Sequence, residues 1–315
     1  TEGYDNVSLA ETRLEREIDG CDVLWLHGWQ SPLMHRALKY ASWAGKPVLM
    51  RGENCDLAMP DGGGLKGLFK HWYLRWIFGH CGAFLTVGSE NEHYYLSRGV
   101  SRERLFLTPY AIDNDRFGTE AAACRPQRKT LKVSLGLDPN RPVILFAGKL
   151  MQRKCPDLLA QAFQKADFES PLPQLVFVGD GDMHDTLRSL APEAVFLGFR
   201  NQKELPALYD MADLFVLPSV REPWGLAVNE AMACSTAVIV SDQVGCARDL
   251  VSGDCGSVFP AGDEEALAEA LVRCLTHSDA LGQAAKLRID TWGFDQDLAG
   301  LKAAIGYVRE GGGDG

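Results

Sequence analysis

The sequence predicts an α/β protein built from two parallel-sheet units, and three observations carry that expectation. Short apolar runs alternate with helix-forming stretches, the rhythm of a parallel sheet covered on both faces. The rhythm breaks at a polar, Ala-rich stretch that ends near Pro139 and begins again at Arg141. The chain has 315 residues, 46% of them hydrophobic, which is enough for two cores.

In the first series, DVLWLHG (22–28), KPVLMRGE (46–53) and AFLTVGS (83–89) read as buried strands separated by helical stretches. Before the third of these, LKGLFKHWYLRWIF (65–78) mixes Lys66, Lys70 and Arg75 with Phe69, Trp72, Tyr73, Trp76 and Phe78. A basic, aromatic helix of this kind packs on its own sheet or lies in a membrane interface. TPYAIDNDRF and the residues after it read as a connection. From Arg141, PVILFAG, QLVFVGDG, AVFLGF, LFVLPS, AVIVSD and GSVFP read as strands, with Leu159, Ala162, Phe163 and Ala166 as a core stripe at helical spacing. This second unit reads as a complete Rossmann-like domain. Leu298, Leu301, Ile305 and Val308 mark a last amphipathic helix ahead of a Gly-rich tail. The expected division is 1–118, a linker at 119–140, a second domain at 141–290 and a C-terminal helix at 291–311.

Composition narrows the function. The formal net charge is −10 and no long Lys/Arg run occurs, which argues against a nucleic-acid partner. The nine cysteines are odd in number and include no CxxC, and the seven histidines form no HExxH. That pattern fits a reducing cytoplasm and gives a metal no visible home. No apolar run reaches the ~18 residues of a membrane span, and no signal-peptide pattern opens the chain. Thr1 stands first, so a processed product or fragment is expected.

Open α/β sheets bind ligands at the carboxyl ends of their strands. The residues there are His27 and Gly28, Glu53, Ser89, Gly148 and Lys149, Gly179 and Asp180, Phe199, and Glu222. In REPWGLAVNEAMA, Glu222 falls in a loop, Pro223, Trp224 and Gly225 start a helix that runs on from Leu226, and Glu230 lies about two turns in. A helix start offers unpaired N–H groups to an anion, and Gly225 leaves room for its approach. Read so, the stretch is a phosphate seat with a carboxylate at each side. The same glutamates would also serve simply to offset the helix dipole, and spacing alone does not separate the two readings. In GKLMQRK, Lys149 follows a strand and Lys154 precedes a helix opened by Pro156, a pair suited to a diphosphate or to plain solvation. GDGD (179–182) has the letters of a DxD metal motif, but its place between a strand and MHDTLRSL favours a tight turn capping that helix. GGGLKG follows no strand and fails the context of a dinucleotide loop, and there is no P-loop.

Taken with VGDGD and FLGFRNQKELPALYDMADLFVLPS, these stretches resemble the retaining glycosyltransferases of the GT-B fold, in particular glycosyltransferase family 4. The likeness covers the second domain and the later half of the first. It implies two Rossmann-like domains facing across a cleft, with the final helix returning to the first. It also implies metal-independent, cofactor-free transfer of a sugar from a nucleotide diphosphate sugar to an acceptor hydroxyl, with retention of configuration. Glu222 would hold sugar hydroxyls, the backbone of Pro223 to Leu226 would meet the sugar and diphosphate, and Glu230 would bind the ribose. Gly148, Lys149 and Lys154 would form the basic phosphate loop, with Lys149 where Arg is commoner, and Phe199 and Arg200 would lie along the base. Glu53 stands where the family often has His, and is expected to orient the acceptor hydroxyl or shield charge on the sugar. Ser235 and Ala237 replace a usual Gly and Pro. Because the family begins with a strand and a Gly-rich loop before the point where TEGYDNVSLAETR starts, the first domain is expected to be incomplete. The implied partners are a nucleotide sugar donor and a glycan or lipid-linked acceptor, in polysaccharide or glycolipid biosynthesis at the cytoplasmic side, with peripheral membrane contact through 65–78. Two rivals stand beside this reading: a non-catalytic nucleotide-sugar binder, and a phosphorylase-like or epimerase-like enzyme of the same fold, for which no pyridoxal phosphate site is visible.

Overall fold

A computed structural model describes residues 14–57 and 64–311. The opening TEGYDNVSLAETR and the first residues of GGGLKG lie outside the described residues. The first unit runs α1 (Leu14–Asp19), β1 (Leu24–His27), α2 (Pro32–Trp43), β2 (Val48–Arg51), α3 (Gly64–Gly79), β3 (Ala83–Thr86), α4 (Ser89–Leu96) and β4 (Leu105–Leu107). Its strands pair in parallel in the order β1-β2-β3-β4. The sequence reading anticipated all but β4, a three-residue edge strand.

Next come α5 (Asn114–Cys124) and α6 (Arg128–Ser134). The stretch expected as a linker, 119–140, is therefore folded onto the second unit. Asp113 caps α5 by accepting the Arg116 N–H at 2.9 Å. Phe117, Ala121 and Leu137 are buried in the second core. Arg125 and Arg128 pair with Asp210 and Asp213 at 2.9 and 3.0 Å, anchoring the junction between α5 and α6.

The second unit is β5 (Val143–Ala147), α7 (Pro156–Lys165), β6 (Gln174–Val178), α8 (His184–Leu190), β7 (Val195–Phe196), α9 (Leu205–Met211), β8 (Leu214–Leu217), α10 (Leu226–Ala233), β9 (Ala237–Ser241), α11 (Ala247–Leu250), β10 (Gly256–Phe259), α12 (Glu264–Thr276) and α13 (Ser278–Ile289). The parallel strand order is β10-β9-β8-β5-β6-β7. β5, β8 and β9 are buried at every position, as central strands covered by helices on both faces must be. The chain winds outward from β5 through β6 and β7, then crosses back to β8. The switch point therefore falls between β5 and β8, where a doubly wound sheet opens a crevice at its carboxyl edge.

The last helix, α14 (Phe294–Arg309), packs Ala304 and Val308 on Leu49, Ala83 and Leu85 of the first sheet. Gly300 permits this approach, since a Cβ there would stand 1.9 Å from the Leu107 carbonyl oxygen. Helix α3 buries Leu74, Ile77 and Phe78 against its own sheet. Its other side exposes Leu65, Leu68, Phe69, Trp72 and Trp76, a second apolar stripe at helical spacing. Among the described residues, no helix is long and apolar enough to cross a membrane.

Candidate active site

At the switch point the chain leaves β8 through Pro218 and enters a loop knitted to the turn after β9. Gly245 N–H donates to the Glu222 carbonyl at 2.9 Å, and Cys246 N–H to the Trp224 carbonyl at 3.0 Å. The contact is so close that a Cβ on Gly245 would lie 1.9 Å from the Pro223 carbonyl oxygen. Gly225 then turns through the left-handed region (φ 98°) and α10 starts at Leu226. Glu230 is consequently the fifth helical residue, little more than one turn in rather than the two expected, because Pro223 and Trp224 stay outside the helix.

Opposite this loop, β5 ends at Ala147, and Gly148 and Lys149 lead to a 3-10 turn, Gln152–Lys154, closed by Cys155 in the left-handed region (φ 48°). The turn delivers two cations to one oxygen. Lys154 Nζ lies 2.7 Å from Glu222 Oε2, and Arg153 Nη1 lies 3.2 Å from the same atom. Glu222 is buried and the Lys154 side chain is 14% exposed, so that pair is little screened, whereas Arg153, 40% exposed, is more open to solvent. The GDGD turn backs this loop. A Cβ on Gly179 would sit 2.0 Å from the Gly148 carbonyl oxygen, and one on Gly181 2.1 Å from that of Leu150. Its glycines thus allow two backbones to touch. The expected side-chain cap on α8 is not made; Asp180 Oδ1 instead accepts the Gly181 N–H at 2.8 Å.

Deeper in the second unit, the Tyr209 hydroxyl donates to Glu230 Oε2 at 2.8 Å. Burial pushes the Glu230 carboxyl above its ordinary range, against the pull of that hydrogen bond. Phe199 stands 81% exposed past β7, with Arg200 beside it held by Glu204 at 3.1 Å and by the Leu197 carbonyl.

The first unit closes the other side. Glu53, past the end of β2, accepts a hydrogen bond from the Tyr110 hydroxyl. The Tyr110 ring meets Trp224 edge-on at 6.1 Å, and Trp224 stacks on Trp292 at 5.8 Å. Asn229, fully buried on α10, accepts from Trp224 Nε1 and donates to the Tyr110 carbonyl, both at 3.0 Å. Asp249 on α11 accepts from the Ser89 N–H at 2.9 Å and from its hydroxyl, placing a carboxylate at the start of α4. Arg248 pairs with Glu90 at 3.2 Å. A Cβ on Gly88 would come within 2.3 Å of the Trp224 ring. The carboxyl edges of the two sheets are thus held face to face.

Residues 127–288, just over half of the chain, match the profile of the glycosyl transferases group 1. The chain belongs to this family. It is 37% identical over 132 residues to an uncharacterised glycosyltransferase of Methanocaldococcus jannaschii, covering 40% of this chain and 33% of that one. To the D-inositol 3-phosphate glycosyltransferase of Rhodococcus erythropolis it is 30% identical over 221 residues, covering 63% and 50%. The chain therefore spans a third to a half of the length of these curated relatives. Anabaena HepE, solved with UDP and glucose, superposes with a TM-score of 0.68 at 16% identity, over 91% of this chain and 79% of that one. The fold is GT-B.

Within this group 1 transferase chain, the structure gathers Glu222, Lys154 and the Pro223–Leu226 backbone at one point. Lys149, expected in the phosphate loop, is exposed and makes no ion pair with a described residue, while Arg153, not singled out from the sequence, joins Lys154 beside Glu222. Arg153 was missed although it stands in the same quoted loop. Both cations of the 3-10 turn reach the same glutamate oxygen, a convergence that depends on how the turn is set against a loop almost 70 positions away and leaves no mark in local spacing. Asn229 and Tyr110 were also missed. Among the described residues no group of three His, Cys, Asp or Glu side chains could hold a metal ion.

Proposed function

We propose that the chain transfers a glycosyl group from a nucleoside diphosphate sugar to an acceptor hydroxyl with retention of configuration. The observation that carries this reading is the convergence of Arg153 and Lys154 on Glu222 at the glycine-opened start of α10. A diphosphate seated there draws both cations from Glu222 and meets the N–H groups of the helix start. The freed carboxylate then holds sugar hydroxyls. Glu230 takes the ribose hydroxyls, Phe199 and Arg200 flank the base, and Gly148 and Lys149 border the phosphates.

In the reaction, the bond from the anomeric carbon to the diphosphate oxygen breaks and its electron pair leaves with the diphosphate. The acceptor oxygen forms the new bond on the same face, and its proton passes to the departing phosphate oxygen. No protein base is needed. Arg153 and Lys154 offset the charge that grows on the leaving group, the task a metal performs in other transferases, so the reaction is read as metal-independent. Glu53, held by Tyr110, orients the acceptor hydroxyl.

The donor class is supported by HepE, solved with UDP-glucose, and by a GDP-mannose-dependent relative that acts on phosphatidylinositol monomannoside in Mycolicibacterium smegmatis, 29% identical over 219 residues. The second of these favours a role in glycolipid assembly, and the free cysteines are in keeping with a reducing, cytoplasmic setting. The exposed stripe on α3, with Lys66 and Lys70 beside it, supports peripheral contact with the membrane.

The test is nucleotide release from UDP-glucose, GDP-mannose and ADP-glucose with a mixed acceptor pool, with the product anomer read by NMR. Release from one donor with the anomeric configuration kept supports the proposal. An inverted product, or neither binding nor release with any donor, refutes it.

A further inference from the structure

A cavity of about 410 Å³ opens at the carboxyl ends of β1 and β2, lined in part by Trp29, Gln30, Arg51, Glu53, Asn54 and Tyr110. Two contacts place it beside the donor loop: the Tyr110 ring on Trp224, and the Cys55 thiol 3.9 Å from the Pro223 carbonyl. We infer that it seats an uncharged, polyhydroxylated acceptor, a glycan end that carries neither phosphate nor carboxylate; this rests on the transfer reading above.

The charges decide the class. Besides the Tyr110 phenol, which burial holds in its neutral form, His27, Arg51 and Glu53 are the ionisable side chains of the lining. Arg51 is already committed: one nitrogen lies 3.1 Å from Asp297 Oδ1, another donates to the Thr108 carbonyl at 3.2 Å, and the guanidinium stands 5.4 Å from the Tyr110 ring centre. His27 stacks on Trp25 at 5.1 Å. Glu53 leaves a carboxylate in the wall, against which a phosphorylated acceptor would be repelled. Helix α2 starts at the cavity, but its attraction for anions is blunted. Pro32 in its first position has no N–H, and the Ser31 hydroxyl oxygen accepts the Met34 N–H at 3.2 Å.

The remaining surface suits a sugar. Trp29 and Tyr110 offer ring faces for its C–H side, and Gln30, Asn54 and Glu53 carry groups of hydrogen-bonding type for its hydroxyls. Tyr73 packs edge-on against Trp29 at 6.4 Å and fixes that wall. The buried Trp29 Nε1 has no hydrogen-bond partner among the described residues, the kind of donor that a bound hydroxyl oxygen satisfies.

With whichever donor releases nucleotide, initial rates are compared for octyl glucoside, octyl mannoside, glucose 6-phosphate and glucuronate, in the wild type and in Glu53→Gln. The expected result is at least tenfold higher kcat/KM for the better neutral glycoside than for either anion, with Glu53→Gln narrowing that ratio several-fold. Glu53 is exposed, so this variant folds. Trp29→Ala should raise KM for the neutral acceptor about tenfold while the donor KM stays put. An anion used equally well, or a ratio unmoved by Glu53→Gln, overturns the inference while the transferase reading stands. Absence of nucleotide release from every donor, even to water, removes both.

Discussion

Lys154 Nζ lies 2.7 Å from Glu222 Oε2, and Arg153 shares that oxygen at 3.2 Å. On the proposed reading, these two cations are directed at phosphate and rest on a carboxylate that a donor must displace. Glu222→Gln should release them without changing shape. Nucleoside diphosphate is expected to bind several-fold more tightly by calorimetry while transfer falls on the order of 10²-fold, since the group proposed to meet the sugar has lost its charge. Weaker nucleotide binding in this variant would show that the cations do not face the phosphates.

Glu230 gives a pH dependence whose sign can be worked out. Its carboxyl is raised above the ordinary 4.5, first by burial. A group that holds its proton more tightly folded than unfolded stabilises the fold below its unfolded pKa, and that stability is lost as pH rises through the folded one. Ionised Glu230 thus costs stability at neutral pH. Glu230→Gln keeps an acceptor for the Tyr209 hydroxyl and should raise Tm at pH 7, with the gain vanishing below about pH 4.5. A variant less stable than wild type at pH 7 would contradict this assignment.

Much of this fold can be read from the chain because its central strands are wholly apolar: Val143 to Ala147 and Leu214 to Leu217 are buried throughout and could be little else. The edge strand β4 escaped because three residues, with Leu107 exposed, give no periodicity. Helices α5 and α6 read as a linker because their burial rests on a thin stripe around Phe117 and Ala121. Arginines then anchor to Asp210 and Asp213, about 85 positions away in the chain. In the site, Glu222 and Lys154 were singled out by the resemblance, since spacing alone left them undecided, and their direct contact was not foreseen. The Asn229–Tyr110 link was not, since it joins a side chain to a backbone carbonyl 119 residues distant.

That link carries its own prediction. Asn229→Ala strands the Trp224 indole N–H and the Tyr110 carbonyl in a buried setting, at about 1–3 kcal/mol. Urea denaturation should show a lower midpoint with an unchanged slope. A loss under about 0.5 kcal/mol, the size of an ordinary surface change, would mean that water satisfies both groups.

The stripe on α3 predicts surface binding. Co-sedimentation with vesicles containing anionic lipid should be clear for the wild type and reduced several-fold in Phe69→Ser/Trp72→Ser, whose side chains are 77% and 79% exposed and so outside the core. Equal sedimentation of both proteins would remove the membrane from the account.

The central claim is that Lys154 and Arg153 exist to hold a diphosphate, and thermal melting with UDP, GDP and ADP tests it most directly. At 100 times its dissociation constant a nucleotide adds ~2.7 kcal/mol, a rise in Tm of roughly 5 °C or more. The account predicts that one nucleotide raises Tm in the wild type and that Lys154→Ala abolishes most of the rise. A shift of the same size in the Lys154→Ala protein would contradict it.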